Sequence, residues 1–366
     1  MKLWIAAAIV ALAAVALIAF GEFDPDGEVV GKPAPELDSP GPWINSQPLK
    51  LADLRGKVVL LDIFEYTCVN CIRTIPYLQQ WYKKYGPQGL VIIGVHDPEF
   101  DFSRVPANVK KGTENLGITW PVVVDNDYKI WSSFHNSYWP RKFLIDAKGI
   151  VRYDHIGEGG YERTEEEIRQ LLMEANPGFA APSASLKWAR EEDKPGAVCY
   201  PQTAETYANS ERGVFASGMM DAVSSYKDPG DAGDGQVALQ GKFKVTPDAT
   251  DHIGNTPGRF DDYVGLKFHA TEANVVFGYA SGASKGSGYR VRVTLDNAPV
   301  ASNMRGADLR TDKDGSTYLN VTDGRMYKVV EGQKYGTYVL KLYTDSNKFA
   351  LYAYTFGSCL RPENSQ

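Results

Sequence analysis

Hydrophobic residues change their spacing twice along this chain. From Leu3 to Phe20 they are continuous, LWIAAAIVALAAVALIAF, with Lys2 before the run and no charge until Glu22. Beyond a Gly/Pro/Asp/Ser-rich stretch, two almost unbroken apolar runs follow, Lys57–Ile63 (KVVLLDI) and Gly89–Val95 (GLVIIGV). Such runs predict central strands buried on both faces, because a strand covered on both sides has no polar alternation. Between them Ile72, Ile75, Leu78 and Trp81 recur at helical spacing and predict a helix over Cys71–Tyr85. Thr119–Val124 and Lys142–Ile145 read as further strands, and Gly149–Tyr153 pairs with the latter across an Asp-Ala-Lys-Gly turn. Thr164–Glu174 reads as a helix with Thr164 as cap and Glu167 three residues on. Strand, helix, strand, then hairpin and helix is an α/β layout.

After a polar, Pro-rich stretch around residues 176–205 the period becomes two. Short alternating runs occupy Val237–Val245, Gly265–Ala270, Asn274–Tyr279, Tyr289–Leu295, Arg325–Val330, Gly336–Tyr343 and Lys348–Phe356. Turn sequences such as Asp-Lys-Asp-Gly at 312–315 separate them. Seven or eight short strands of this kind predict an all-β sandwich or jelly roll. The chain thus divides into an apolar leader (1–21), an α/β domain (22–178), a linker (179–198) and a β domain (199–360).

Eighteen apolar residues make a helix of about 27 Å, near the lower limit for spanning a bilayer. The leader reads either as an uncleaved single-pass anchor or as a secretory signal cleaved near Ala19 to Gly21. Both place the body in a periplasmic or other extracytoplasmic compartment. With 366 residues, two soluble domains are the natural division. A net charge of −6 supplies no basic field for a general nucleic-acid partner.

Chemistry enters at Cys68 and Cys71. The strand KVVLLDIFE runs into Tyr66-Thr67-Cys68-Val69-Asn70-Cys71 and a helical pattern begins at once. That context makes C-x-x-C a redox motif rather than half of a metal site. Zinc needs further ligands, and the five histidines are scattered. Free amides and the helix dipole favour a thiolate on Cys68, the outer sulfur; Cys71, one turn in, closes the disulfide. No metal and no cofactor is implied.

On these residues the segment from about Gly31 to Met173 resembles the thioredoxin superfamily. Asp62 lies six residues before Cys68, Pro76 five after Cys71, and Trp139-Pro140 precedes the strand RKFLID. The segments EYTCVNCIRTIPYL, VHDPEF, YWPRKFLIDAKGI and HIGEGGYERTEEEIRQLL are most similar to the thioredoxin-like portion of DipZ-type cytochrome c biogenesis proteins, with AhpC/TSA- and redoxin-like character. The resemblance implies an α/β thioredoxin-like fold, a central mixed sheet flanked by helices. It implies a thiol–disulfide oxidoreductase that reduces or isomerises protein disulfides outside the cytoplasm. It further implies Asp62 as proton acceptor for Cys71, a cis Pro140 beside the sulfurs, and a membrane electron donor of the cytochrome-biogenesis type. Glu65 is placed to tune thiol acidity, Tyr66 and Trp139 to form a rim for the client peptide, and Glu158, in a glycine turn, to shape the site.

The remaining pair, Cys199 and Cys359, brackets the β domain. In an exported protein such a pair reads as a disulfide stapling the domain's ends; two free thiols or a relay with Cys68 and Cys71 are the alternatives. The β domain itself resembles a carbohydrate-binding-like module through AETYANSERGVFASG, FHATEANVVFGYA and GRMYKVVEG. Its aromatics, Phe268, Phe277, Tyr279, Tyr289, Tyr327, Tyr338 and Tyr343, form either a ligand platform or core. Two further functional readings therefore stand beside the oxidoreductase: an envelope glycan- or protein-binding module with a secondary redox role, and a thiol peroxidase.

Overall fold

Strand β2 (Val58–Phe64) is buried at every position. It lies between β3 (Leu90–His96), parallel to it, and β5 (Arg141–Ile145), antiparallel. With β1 (Trp43–Ile44), β4 (Val122–Val124) and β6 (Val151–Ile156) these strands form a six-stranded mixed sheet of order β1-β4-β3-β2-β5-β6. The computed structural model describes residues 29–180, 186–218, 223–254, 257–283, 286 and 288–360. The apolar leader lies outside the described residues. Among those described, no helix is long and apolar enough to cross a membrane.

The period of two along β2 divides its side chains between the faces of the sheet. Val58, Leu60 and Phe64 join the core under α1 (Val69–Tyr85) and the late helix Tyr161–Ala175. Val59, Leu61 and Ile63 join the opposite core with Ile130, Phe134 and Phe143. Asp62 has the parity of Leu60 and Phe64, so it points to the α1 face. Two helices escaped the sequence reading, α2 (Pro106–Asn115) and the short α3 (Lys129–Ser133). Both are poor in apolar residues and lack a strong helical stripe. The late helix, α4 (Tyr161–Ala175), starts earlier than the pattern predicts. Gly160 takes the N-cap position at φ 59°, and Thr164 is instead inside the helix, its hydroxyl donating to the Gly160 carbonyl at 3.0 Å.

The second half is an antiparallel β-sandwich. Its strands are β7 (Val198–Cys199), β8 (Thr206–Tyr207), β9 (Ser224–Tyr226), β10 (Val237–Val245), β11 (Thr250–His252), β12 (Asp262–Tyr279), β13 (Tyr289–Leu295), β14 (Arg310–Thr311), β15 (Thr317–Val321), β16 (Arg325–Thr344), β17 (Phe349–Gly357) and β18 (Cys359–Leu360). Two pairs of predicted strands are fused. Residues 265–270 and 274–279 lie in β12, and 325–330 and 336–343 lie in β16. Register shifts between Ala270/Glu272 and Ala273/Asn274 interrupt the ladder between them. Bulges of this kind bend long strands, so one hydrogen-bonded sheet supplies both layers. Phe268, Phe277, Tyr289 and Tyr327 are buried in the sandwich core rather than displayed as a platform.

The two halves share a hydrophobic cluster. Val69 and Phe100 of the first pack with Val276, Met326, Ala350 and Tyr352 of the second. Val69 directly follows Cys68, so the sandwich rests on the redox turn itself.

Candidate active site

Cys68 is the N-cap residue of α1. Its backbone is extended (φ −67°, ψ 118°), and its Sγ accepts a hydrogen bond from the Cys71 backbone N–H at 3.2 Å. The Cys68 N–H donates to the Glu65 carbonyl at 3.2 Å, which closes the turn leaving β2. Cys68 is half-buried and Cys71 buried; both are free thiols. Burial pushes both thiols up, Cys71 the further, because the Cys68 thiol and the Asp62 carboxylate add to its rise. At Cys68 the hydrogen bonds from Cys71 oppose burial, whereas Glu205 and Glu99 add to it. The helix terminus therefore favours a thiolate at Cys68 but does not outweigh desolvation and the two acids.

Asp62 is 1% exposed, and burial raises its carboxyl to about 6. Its register partner on β5 is Lys142, also 1% exposed, with Nζ 3.9 Å from Oδ1. Lys142 opposes the rise of Asp62 and is itself pushed down by burial. The sequence reading missed this lysine. Nothing local marks it, because the register that sets Lys142 opposite Asp62 joins strands remote in sequence.

The Trp139–Pro140 peptide is cis. The Trp139 ring lies 4.5 Å from that of Trp131 and packs against the core that contains Cys71. Tyr66 does not lie at the open rim the sequence reading gave it, and Glu65, expected to tune thiol acidity, lies inside the protein. Tyr66 is 5% exposed, stacked on His96, and its hydroxyl donates to the Gly324 carbonyl of the sandwich at 3.1 Å. The second domain covers this ring, so it forms no rim for a client. Glu65 is fully buried. It accepts from the Thr67 N–H at 2.6 Å and from the Thr67 hydroxyl, and lies 3.6 Å from His96 Nε2. Its side chain is closed off from any client, and its carbonyl accepts from the Cys68 N–H.

Glu158 sits in the glycine turn after β6, where Gly157, Gly159 and Gly160 all have positive φ. Arg73, two residues past Cys71, holds it at 3.0 Å and holds Glu272 of the sandwich at 2.8 Å. Desolvation works against the Glu272 carboxylate, yet Arg73 keeps it below its ordinary range. Nothing in the local pattern marks Arg73, because both of its partners are remote in sequence. A cleft of about 940 Å³ opens here. Val69, Ile72 and Glu158 line one side, Met326 and Lys328 the other, and the Cys199–Cys359 disulfide lies at its wall. That disulfide joins register partners on β7 and β18. Among the described residues no group of His, Cys, Asp and Glu has the arrangement of a metal site.

A C-x-x-C turn feeding a helix, a buried acid on the adjoining strand and a cis proline at the start of β5 are together the marks of one fold family, and the chain belongs to the thioredoxin superfamily. Residues 30–154 match the AhpC/TSA family, and residues 203–357 match the family described as thioredoxin-like C-terminal domain. The protein DipZ of Mycobacterium tuberculosis is 39% identical over 251 residues, 67% of this chain and 35% of DipZ. The thiol-disulfide oxidoreductase ResA of Bacillus thuringiensis is 30% identical over 148 residues, 40% of this chain and 79% of ResA. A solved thiol-disulfide isomerase from Corynebacterium glutamicum has 26% identity over 38% of this chain and 96% of its own, with a TM-score of 0.34. The chain spans about a third of the length of the DipZ proteins it matches.

Proposed function

We propose that this protein is a thiol–disulfide oxidoreductase acting on protein disulfides outside the cytoplasm, with Cys68 as nucleophile and Cys71 as resolving thiol. The observation that carries the reading is the placement of Cys68 at the open start of α1, with Cys71 and the buried Asp62 behind it. Cys68, once ionised, attacks one sulfur of a client disulfide. The client's other sulfur leaves as a thiolate and takes a proton. Cys71 gives up its proton toward Asp62 and attacks Cys68 Sγ, and the second client thiol departs. The client gains two electrons and two protons, and Cys68–Cys71 becomes the disulfide. A membrane electron donor of the cytochrome-biogenesis type then restores the dithiol.

In this reading the backbone at the cis Trp139–Pro140 peptide holds the client beside the sulfurs. The chain flanking the client cysteine runs into the cleft between α1 and the sandwich. Extracytoplasmic placement fits both the apolar leader and the Cys199–Cys359 disulfide. Trapping tests the assignment. A Cys71→Ser variant should accumulate a mixed disulfide between Cys68 and its clients, identified by mass spectrometry, and Cys68→Ser should accumulate none. A folded Cys71→Ser protein that captures no disulfide-bonded protein would overturn it. Rapid Cys68-dependent consumption of peroxide would favour the peroxidase instead.

A further inference from the structure

The cleft beside the redox turn has walls from both domains and from the linker between them. The linker is fastened along α1. Gln80 Nε2 donates to the Lys187 carbonyl at 2.8 Å, and Gln80 Oε1 accepts from the Lys187 N–H at 3.0 Å. The Tyr77 hydroxyl accepts from the Ala189 N–H at 3.0 Å and donates to Asp193 at 2.7 Å. Arg73 ties the glycine turn to the sandwich through Glu158 and Glu272, so the cleft is preformed. Its end nearest Cys68 is apolar, formed by Val69, Ile72 and Met326. Farther along, the lining turns polar. Tyr161 is 3% exposed, and its hydroxyl finds no acceptor among the described residues. A buried hydroxyl without an acceptor costs free energy that a ligand carbonyl restores.

The guanidinium groups of the cleft are already matched. Arg73 lies between two carboxylates, Arg190 lies 3.6 to 3.7 Å from Glu158, Glu192 and Asp193, and Arg163 faces Glu166 and Glu167. Lys328 acts on Glu272 and helps hold that carboxyl below its ordinary range. Two carboxylates have no such partner among the described residues. They are Glu162, at the start of α4, and Glu331, on β16. Both are exposed, and each stands on the wall of a different domain.

We propose that this cleft is a docking surface for the client chain, and that it selects a segment carrying Lys or Arg near the client disulfide. The inference rests on the thiol–disulfide reading, which places the client on Cys68, directly before Val69. An apolar side chain beside the client cysteine packs on Val69, Ile72 and Met326. A backbone carbonyl of the segment accepts from the Tyr161 hydroxyl. Its Lys or Arg meets Glu162 and Glu331 and supplies the cation that both lack. An acidic segment meets the same two carboxylates uncompensated, so the cleft discriminates by repulsion as well as by attraction. Client choice thus depends on one wall from each domain.

The test reads docking and reaction separately, both in the full-length protein. Docking is read without redox chemistry, by fluorescence anisotropy on the Cys68→Ser/Cys71→Ser protein. The probes are fluorescein-labelled Ser-Leu-Gly-Lys-Lys and Ser-Leu-Gly-Glu-Glu peptides and their reversed sequences. At neutral pH and low salt the basic member of at least one pair should bind about three- to tenfold tighter than the acidic one. The difference should shrink in about 0.5 M salt, as screened charge effects do. Adding Glu162→Gln and Glu331→Gln should remove most of it. Adding Asp53→Asn and Asp314→Asn instead, two exposed charges outside the cleft, should leave it in place. Reaction is read on the reduced natural protein. The same peptides with Cys for Ser, as 2-pyridyl disulfides, release pyridine-2-thione when Cys68 attacks, and the basic one should react faster. Equal affinity for basic and acidic peptides, or a preference indifferent to salt, overturns the proposal even if the Glu162→Gln/Glu331→Gln protein does not fold. A folded Glu162→Gln/Glu331→Gln protein that keeps the full preference, or an equal loss in the Asp53→Asn/Asp314→Asn protein, overturns it as well. Peptides that bind in the expected order and never react would uphold the docking surface and sink the oxidoreductase reading.

Discussion

Asp62 shows how one residue's environment sets its chemistry. Leu60 and Phe64 flank it on the same face of β2, α1 covers that face, and burial lifts the carboxyl from the ordinary 3.8 to about 6. A group near 6 can take a proton from Cys71 and return it near neutrality. The same shift is a statement about stability. A folded-state value above the unfolded one means the folded chain binds the extra proton between the two. Stability is therefore present at the acidic side and is lost as pH rises through about 6. Relative to Asp62→Asn, the natural protein should gain about 1 kcal/mol on going from pH 7 to pH 5 in urea unfolding. Parallel pH dependence of the two proteins would refute a raised Asp62. Asp62→Asn should also slow release of the client from the mixed disulfide while leaving its formation by Cys68 largely intact, as read by quenched-flow alkylation.

At the scale of elements, α1 depends on what surrounds its first turn. Tyr66 before it is pinned by Gly324, Val69 inside it packs on the sandwich, and Arg73 ties it to both Glu158 and Glu272. Helix α2 closes in on the same turn from the other side. A Cβ at Gly112 would stand 2.5 Å from the Tyr66 ring. Gly112→Ala should therefore displace that ring, break its bond to Gly324 and cost about 1–3 kcal/mol. Gly86, at the end of α1, has helical backbone angles directly before Pro87, whose ring crowds a Cβ in that conformation. Gly86→Ala should therefore be mildly destabilising, less so than Gly112→Ala. Thermal unfolding of the two variants side by side checks both. A mild Gly112→Ala would mean that the redox turn is less tightly held than its contacts imply.

At the scale of the whole molecule, the Cys199–Cys359 disulfide ties the two ends of the sandwich into one short ladder beside the cleft. Closing a loop of 160 residues restricts the unfolded chain strongly. The double variant Cys199→Ser/Cys359→Ser should lose about 2–5 kcal/mol of stability. Alkylation of Cys68 should survive in it, since neither cysteine belongs to the redox turn. Loss of Cys68 reactivity in a folded double variant would instead couple the two sulfur pairs and favour the relay.

The sequence by itself determined what local pattern can encode. Continuous apolar runs mark β2 and β3, helical spacing marks α1, and the C-x-x-C turn falls at their junction, because each is a property of neighbours along the chain. Parity puts Asp62 on the same face of its strand as Leu60 and Phe64. The sequence reading did not reach whatever depends on residues far apart. Tyr66 is apolar enough for a rim, yet the carbonyl that claims its hydroxyl is at Gly324. Arg73 and Glu272, Glu99 and Tyr207, and the fusion of two predicted pairs of strands into β12 and β16 have no local signature. Their energetics come from burial and from charges brought together across domains, and only the tertiary structure decides which charges those are.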